Sequence, residues 1–228
     1  MTEDRPRHVT FLETLPDPER AGLLALGRAR SWERGELLVR TGDRADSAIV
    51  VRAGLVKIHR NGSAGHEVVL GISGPGDLLG EITAVRDAVR SASGTAAESV
   101  EGVVISVPAL RGFLADHPRA TIALLDLALA RLRVADARRL EYANSDSLAR
   151  VAGRLVELTE RFGSRDGDGS IAVGLPITQE ELAAWSATSL ESTARALRTL
   201  RQLGVIETSR LRLRVRDPER LRSHAPRL

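Results

Sequence analysis

The chain has 228 residues, 43% of them apolar and 28% charged, with a formal net charge of +3. That is enough to bury a core in each of two modest domains and too apolar for wholesale disorder. The absence of cysteine excludes disulfides, iron–sulfur clusters and thiolate-bound zinc or haem.

The N-terminal stretch "MTEDRPRHVTFLETL" mixes charges with apolar residues and lacks the apolar core of a signal peptide. No run of about 18 uncharged apolar residues follows. A cytoplasmic location without membrane association is the expectation. The five histidines, His8, His59, His66, His117 and His224, show neither His-x-His nor HExxH spacing, so no metal site is expected.

From about residue 31 to 108, short Val/Ile/Leu runs such as "SAIVVRAGLVKIHRNG" and "HEVVLGISGPGD" alternate with Gly-Asp, Asn-Gly and Pro turns. That rhythm predicts a small barrel or sandwich. One stretch breaks it, "GEITAVRDAVRSAS" at residues 80–93. Gly80 permits close approach of backbone to a ligand, and the N–H groups of Glu81 and Ile82 open a helix. Arg90 offers a planar charged fork for a phosphate, with Ser91 and Ala92 beside it and Glu81 as acceptor for a ribose hydroxyl. Two readings stay open: an anion cradle, or an ordinary helix start with an Arg90–Glu81 pair.

From about Asp116 to Ala143 the pattern turns helical, with Pro118 near the start, where a helix tolerates it. Ile122, Leu125, Leu129, Leu132, Asp136, Arg139 and Ala143 recur at alternating steps of three and four. This is a coiled-coil seam, apolar and then polar, and it predicts a parallel homodimer. Packing of the helix on its own chain is the alternative. "ANSDSL" then ends one helix and caps the next, "LARVAGRLVELTERF", which the polar loop "GSRDGDGS" follows.

The last third has the layout of a winged helix-turn-helix. Thr178 and Glu181 form a capping box for a helix through about Trp185, with Gln179 in its first turn. After "SATS", a second helix begins near Ser189. Thr193, Leu197, Leu200 and Gly204 are expected on its core side, and Glu191, Arg195, Thr199 and Gln202 on its outer side. Arg donates to guanine O6 and N7 and Glu accepts from the cytosine amine, so Glu191 and Arg195 suit the major groove; a plain surface ion pair is the alternative. Ser189, Ser192 and Thr178 are candidate phosphate ligands. "IETS", ending at Ser209, and "LRLRVR" flank Arg210 and predict a wing, with Arg212, Arg214 and Arg216 on one strand face. From Arg195 onward ten arginines face three acids, a net +7, which fits a polyanion partner.

Taken together, Gly80, Glu81, Arg90, Ser91 and Ala92 in the cassette and Glu191 and Arg195 in the reader resemble the cyclic-AMP receptor/fumarate-nitrate-reduction regulator family. The resemblance runs over roughly residues 10–220. It implies an α+β chain with a β-roll sensor over residues 1–115, a dimerisation helix over 116–144 and a winged helix-turn-helix over 145–228. It implies a non-enzymatic transcription regulator on a palindromic DNA operator, with a cyclic nucleotide as effector. Arg131 and Asp136 of the long helix, with Ile82 and Leu190, complete the ligand and DNA residue sets. The loop "RFGSRDGDGS" occupies the position where family members touch RNA polymerase.

Three departures qualify this. The Glu-to-Arg spacing of the cassette is one residue shorter than in the cyclic-AMP receptor. Ala135 and Asp136 replace the Thr-Ser pair that meets adenine there. Leu190 replaces the Arg before the reader's Glu, as in the oxygen-sensing branch. A carboxylate at Asp136 suits guanine N1–H and its amine, hence cyclic GMP; pairing of Asp136 with Arg133 or Arg139 across the dimer seam is the alternative. The remaining readings are a regulator that acts without cyclic nucleotide and, more remotely, a cupin-like enzyme, for which His59, His66 and Glu67 supply no metal set.

Overall fold

The computed structural model describes residues 9–61, 67–81, 89–174, 178–209 and 212–226. It divides into two compact units, residues 9–66 with 70–133, and residues 134–228 with 67–69.

The first unit opens with two short helices, α1 (Phe11–Thr14) and α2 (Asp17–Ala25). The strands follow as β1 (Arg28–Trp32), β2 (Leu37–Val39), β3 (Ser47–Ala53), β4 (Val56–Asn61), β5 (Glu67–Ser73), β6 (Leu78–Leu79), β7 (Ser93–Ala96) and β8 (Val100–Ser106). They form two four-stranded sheets, β1-β8-β3-β6 and β2-β7-β4-β5. β3 pairs antiparallel with β8, Ile49 opposite Val104, and the register shifts between Val51 and Ala53.

The run "AIVV" in β3 is continuously apolar because both of its faces are covered. Ala48 and Val50 join Phe11, Leu23, Ile105 and Phe113 on one side. Ile49 and Val51 join Trp32, Val56, Ala96 and Val100 on the other, and so bind the two sheets together. Gly54 turns β3 into β4 with φ +79, and a Cβ there would strike the Ser99 carbonyl. Only glycine fits that corner.

Ser106 caps α3 (Val107–Asp116) through a bond from Ala109 N–H to its hydroxyl at 3.4 Å. After His117 the chain re-enters helix as α4 (Pro118–Asn144), so the expected long helix is present but starts two residues later, at its proline. α4 is apolar on two faces. Ala120, Ala123 and Leu124 are buried in the sensor core, whereas Ile122, Leu125, Leu129 and Leu132 stay exposed.

In the second unit Asp146 caps α5 (Ser147–Phe162), accepting from Ala149 N–H at 2.8 Å. β9 (Ser164–Arg165), β10 (Ile171–Gly174), α6 (Gln179–Trp185), α7 (Leu190–Gln202), β11 (Ile206–Ser209), β12 (Arg212–Val215) and α8 (Pro218–His224) follow. The strands make one sheet, β11-β12-β10-β9. Two features depart from the sequence reading. The polar loop after α5 contains β9, which pairs with β10. The chain also ends in a helix that periodicity did not reveal, although Asp217 before Pro218 is a legible helix start.

Candidate functional site

The cassette is built where β6 ends. Gly80 adopts φ +80, and a Cβ on it would collide with Nη1 of Arg90. Glycine thus opens room for the guanidinium. Arg90 itself is clamped by backbone bonds on both sides, its N–H donating to Asp43 O and its carbonyl accepting from Gly42 N–H, each at 2.9 Å. Its Nη2 donates to Ser47 O at 2.7 Å and to Ser47 Oγ at 3.2 Å. The residue is 7% exposed, and Nη1 is buried without a hydrogen-bond partner among the described residues.

Burial pushes the Arg90 guanidinium below its ordinary value, opposed by the carboxylates of Asp46, Asp43 and Glu81. Arginine titrates so high that it stays charged regardless. A buried cation with one donor unspent among the described residues has the chemistry to bind an anion, because charge-assisted hydrogen bonds to such a group are the strong ones.

Glu81 is not paired with Arg90. It is buried and bound by Arg131 of α4, whose Nη2 also donates to Leu78 O at 3.0 Å. The structure therefore brings Gly80, Glu81, Arg90 and Arg131 together. It adds Ser47, which carries no motif in the sequence. Ser91 is exposed and Ala92 half-buried. Ile82 lies outside the described residues. Asp136, an exposed residue of the second unit, pairs with Arg139 Nη1 at 3.0 Å within its own helix, whereas the sequence alternative placed that pair across the dimer seam.

The reader is built from caps. Thr178 and Glu181 form a reciprocal capping box at the start of α6, with Gln179 exposed beside it. Ser189 caps α7, and its hydroxyl is engaged with both the N–H and the hydroxyl of Ser192. Thr193, Leu197 and Leu200 are buried, so the opposite face points outward.

Two family models match the chain, a cyclic nucleotide-binding domain over residues 29–117 and a Crp-like helix-turn-helix domain over residues 149–224. The chain is 32% identical over 194 residues to a "CRP-like cAMP-activated global transcriptional regulator" of Mycobacterium tuberculosis, a match covering 85% of this chain and 86% of that one. The protein belongs to the CRP/FNR family. It is also 29% identical over 201 residues to the "Cyclic AMP receptor protein" of Thermus thermophilus, covering 88% and 89% of the two chains. The solved structure of FixK2 from Bradyrhizobium japonicum shares its fold, with a TM-score of 0.78 at 19% identity over 89% of this chain and 98% of that one. The fold and the family make this CRP/FNR protein a DNA-binding transcription regulator.

On the recognition helix of this family member, two details differ from the sequence reading. At about 100° per residue, Glu191, Arg195, Arg198 and Gln202 share the outward stripe. Arg198 is exposed, while Thr199 bonds back to Arg195 O at 3.1 Å. Arg198 was legible, since it lies seven residues after Glu191, but it was masked by the Glu-xxx-Arg spacing. Gly204 is not on the helix face; the helix ends at Gln202, and Gly204 takes φ +69 beyond it.

Glu191 and Arg195 form an exposed ion pair at 2.6 Å, so both heads are free to exchange that contact for a base. Leu190, 46% exposed, presents an apolar contact whose match in the major groove is the thymine methyl.

The wing corrects an expectation more sharply. Arg212, Arg214 and Arg216 do share a face, alternating with buried Leu213 and Val215. Two of them are spent inside the chain. Arg214 pairs with Asp166 at 3.0 Å, and Arg216 pairs with Asp168 and Glu207, each at 2.9 Å. The Ser170 hydroxyl and N–H, and then Arg216 and Arg214, hold the Asp168 carboxyl below its usual range. Only Arg212 of the three has no ion pair among the described residues. Ser209 is exposed at the end of β11; Arg210 lies outside the described residues.

Proposed function

We propose that the protein is a homodimer that reads a palindromic operator and whose affinity for it is set by a small anion, a cyclic nucleotide, at Gly80, Glu81, Arg90, Ser91, Ala92 and Arg131. The observation that carries this reading is the stripe Ile122, Leu125, Leu129 and Leu132. It is exposed on a helix whose opposite face is already buried. A second copy of the same helix, parallel and in register, would cover it. Such a dimer sets two recognition helices about 34–36 Å apart on one face of the duplex. RNA polymerase contact through the segment 161–170 belongs to the same proposal.

The effector acts through Arg131. A bound phosphate takes the spare Nη1 of Arg90, and a ribose hydroxyl competes with Arg131 for Glu81. Arg131 stands on the proposed dimer helix, so occupancy of the cradle is felt there. A coupling of about 1–3 kcal/mol is the ordinary range. Asp136 is the residue we assign to a guanine preference. A second reading is favoured by the same ion pair. With Glu81 already satisfied by Arg131, the resting cassette is closed, and the DNA-competent dimer needs no nucleotide.

Selecting an operator from randomised duplexes, then titrating it with and without cyclic AMP and cyclic GMP, tests both. A nucleotide-dependent rise in affinity supports the first reading; equal affinity throughout supports the second; absence of any selected sequence defeats both. If cyclic GMP is preferred, Asp136→Ala is expected to erase the preference, and an unchanged preference sinks the assignment. On the operator, Arg195→Ala is expected to weaken binding by about 1–3 kcal/mol and to relax one base position in each half site. An equal loss on random DNA would argue against base reading by Arg195.

A further inference from the structure

Within the second unit, the last turns of α4 meet α5 through charge. Val134 and Leu140, the large apolar side chains of that segment, are 48% and 59% exposed. Arg138 and Glu141 face α5 instead. Glu141 pairs with Arg154, the two side chains being 8% and 4% exposed. Arg154 donates from its other prong to Glu157 at 3.1 Å. Arg138 Nη2 donates to both oxygens of the same Glu157 at 3.2 Å, and Arg161 stands 3.9 Å away.

This cluster rests on the reader. Arg138 and Arg154 each lie 5.9 Å from the centroid of the Trp185 ring, within reach of a cation–π contact. Trp185 is fully buried and ends α6. The turn that follows launches the recognition helix. It holds Ala187 at φ 48, and Thr188 shares a 2.9 Å hydroxyl bond with Ser147 at the start of α5. Three helices and the turn before α7 thus meet at one set of charges.

A buried ion pair is a weak source of stability, because desolvation consumes most of its attraction, and apolar groups of similar size often replace it without loss. Its distinguishing property is registry. Apolar surfaces can slide past each other at little cost, whereas a slipped Glu141 or Arg154 would leave a buried charge unpaired.

We propose that Arg138, Glu141, Arg154 and Glu157, seated on Trp185, are positioning residues that fix the recognition helix against the last turns of α4 and so set the half-site spacing that the protein accepts. The inference rests on the reading of the protein as a dimer on a two-part operator.

The test uses the full-length protein and its selected operator, with the half-site separation lengthened or shortened by one base pair. Each step moves a half site by about 3.4 Å and turns it by about 35°. Glu141→Leu/Arg154→Met is expected to keep its fold and its affinity for a duplex with a single half site. Its preference for the selected spacing over the shifted ones is expected to fall roughly tenfold. Arg154→Lys keeps the charge but not the two-pronged fork, and its preference is expected to fall in the same direction; it takes the place of the double variant if that variant does not fold. A folded variant with the wild-type spacing preference overturns the proposal, as does one that loses single-site and paired-site affinity in equal proportion. A wild-type protein indifferent to the second half site overturns the dimeric reading itself, which separates the two failures.

Discussion

Replacing Leu125 and Leu129 together by aspartate is expected to give a folded monomer with operator affinity at least a hundredfold weaker. Both residues are exposed in the single chain, by 58% and 43%, and neither belongs to the buried sensor core. In a parallel pair of α4 helices, four leucines leave water at once, each worth about 1.5–3 kcal/mol when fully buried. Aspartates in their place would have to be buried unpaired, at several kcal/mol each. The dimer then does not form at micromolar concentration, and the second half site no longer binds at the high effective concentration that linkage supplies, typically a loss of 10²–10⁴. Sedimentation velocity reads the first effect and operator titration the second. A variant that sediments as a dimer and binds as wild type would move the interface elsewhere, and circular dichroism checks that the helix survives.

Arg90→Ala carries the second large effect. If the cradle takes a cyclic nucleotide, losing the buried Arg90 guanidinium, whose Nη1 is unspent among the described residues, should cost about 2–5 kcal/mol of its binding, thirtyfold or more. The apo protein should suffer far less than a buried ion pair would suggest. Among the described residues the Arg90 side chain hydrogen-bonds through Nη2 to Ser47 alone, and its removal also relieves the burial that weakens its charged form. The two effects separate in one melting experiment. Saturating nucleotide raises the wild-type midpoint by the linkage of ligand to the native state, and the same nucleotide leaves the variant where it was. A variant that still melts higher with nucleotide would move the phosphate away from Arg90. A wild-type protein that shows neither heat nor a shift leaves the closed, nucleotide-independent reading.

Much of the architecture was legible because it is written in short-range pattern. Gly, Asn and Pro turns marked the strands of the sensor, and steps of three and four marked α4. Thr178 and Ser189 marked the starts of the two reader helices through their own hydroxyls. The outward seam of α4 was legible for the same reason, since helical period alone decides which residues share a face.

The partners of charges were not legible, and there the sequence reading erred. The Arg90–Glu81 pair, one of the two readings left open, does not form: Arg90 bonds Ser47 and Arg131 takes Glu81, the latter two fifty residues apart. Two of the three arginines of the expected cationic wing are paired with Asp166 and Asp168, just before β10. Glu141, Arg154 and Glu157 show no motif at all, yet they hold the reader's helices together.

By itself, then, the sequence determined the faces of the helices, the family and most of the elements, though not β9 or α8, because each depends on the few residues on either side of a position. Only the tertiary structure decided which cation is spent and which is left for a ligand. That depends on sheet register and helix packing, which bring together groups tens of residues apart and bury them where an unmatched charge costs most.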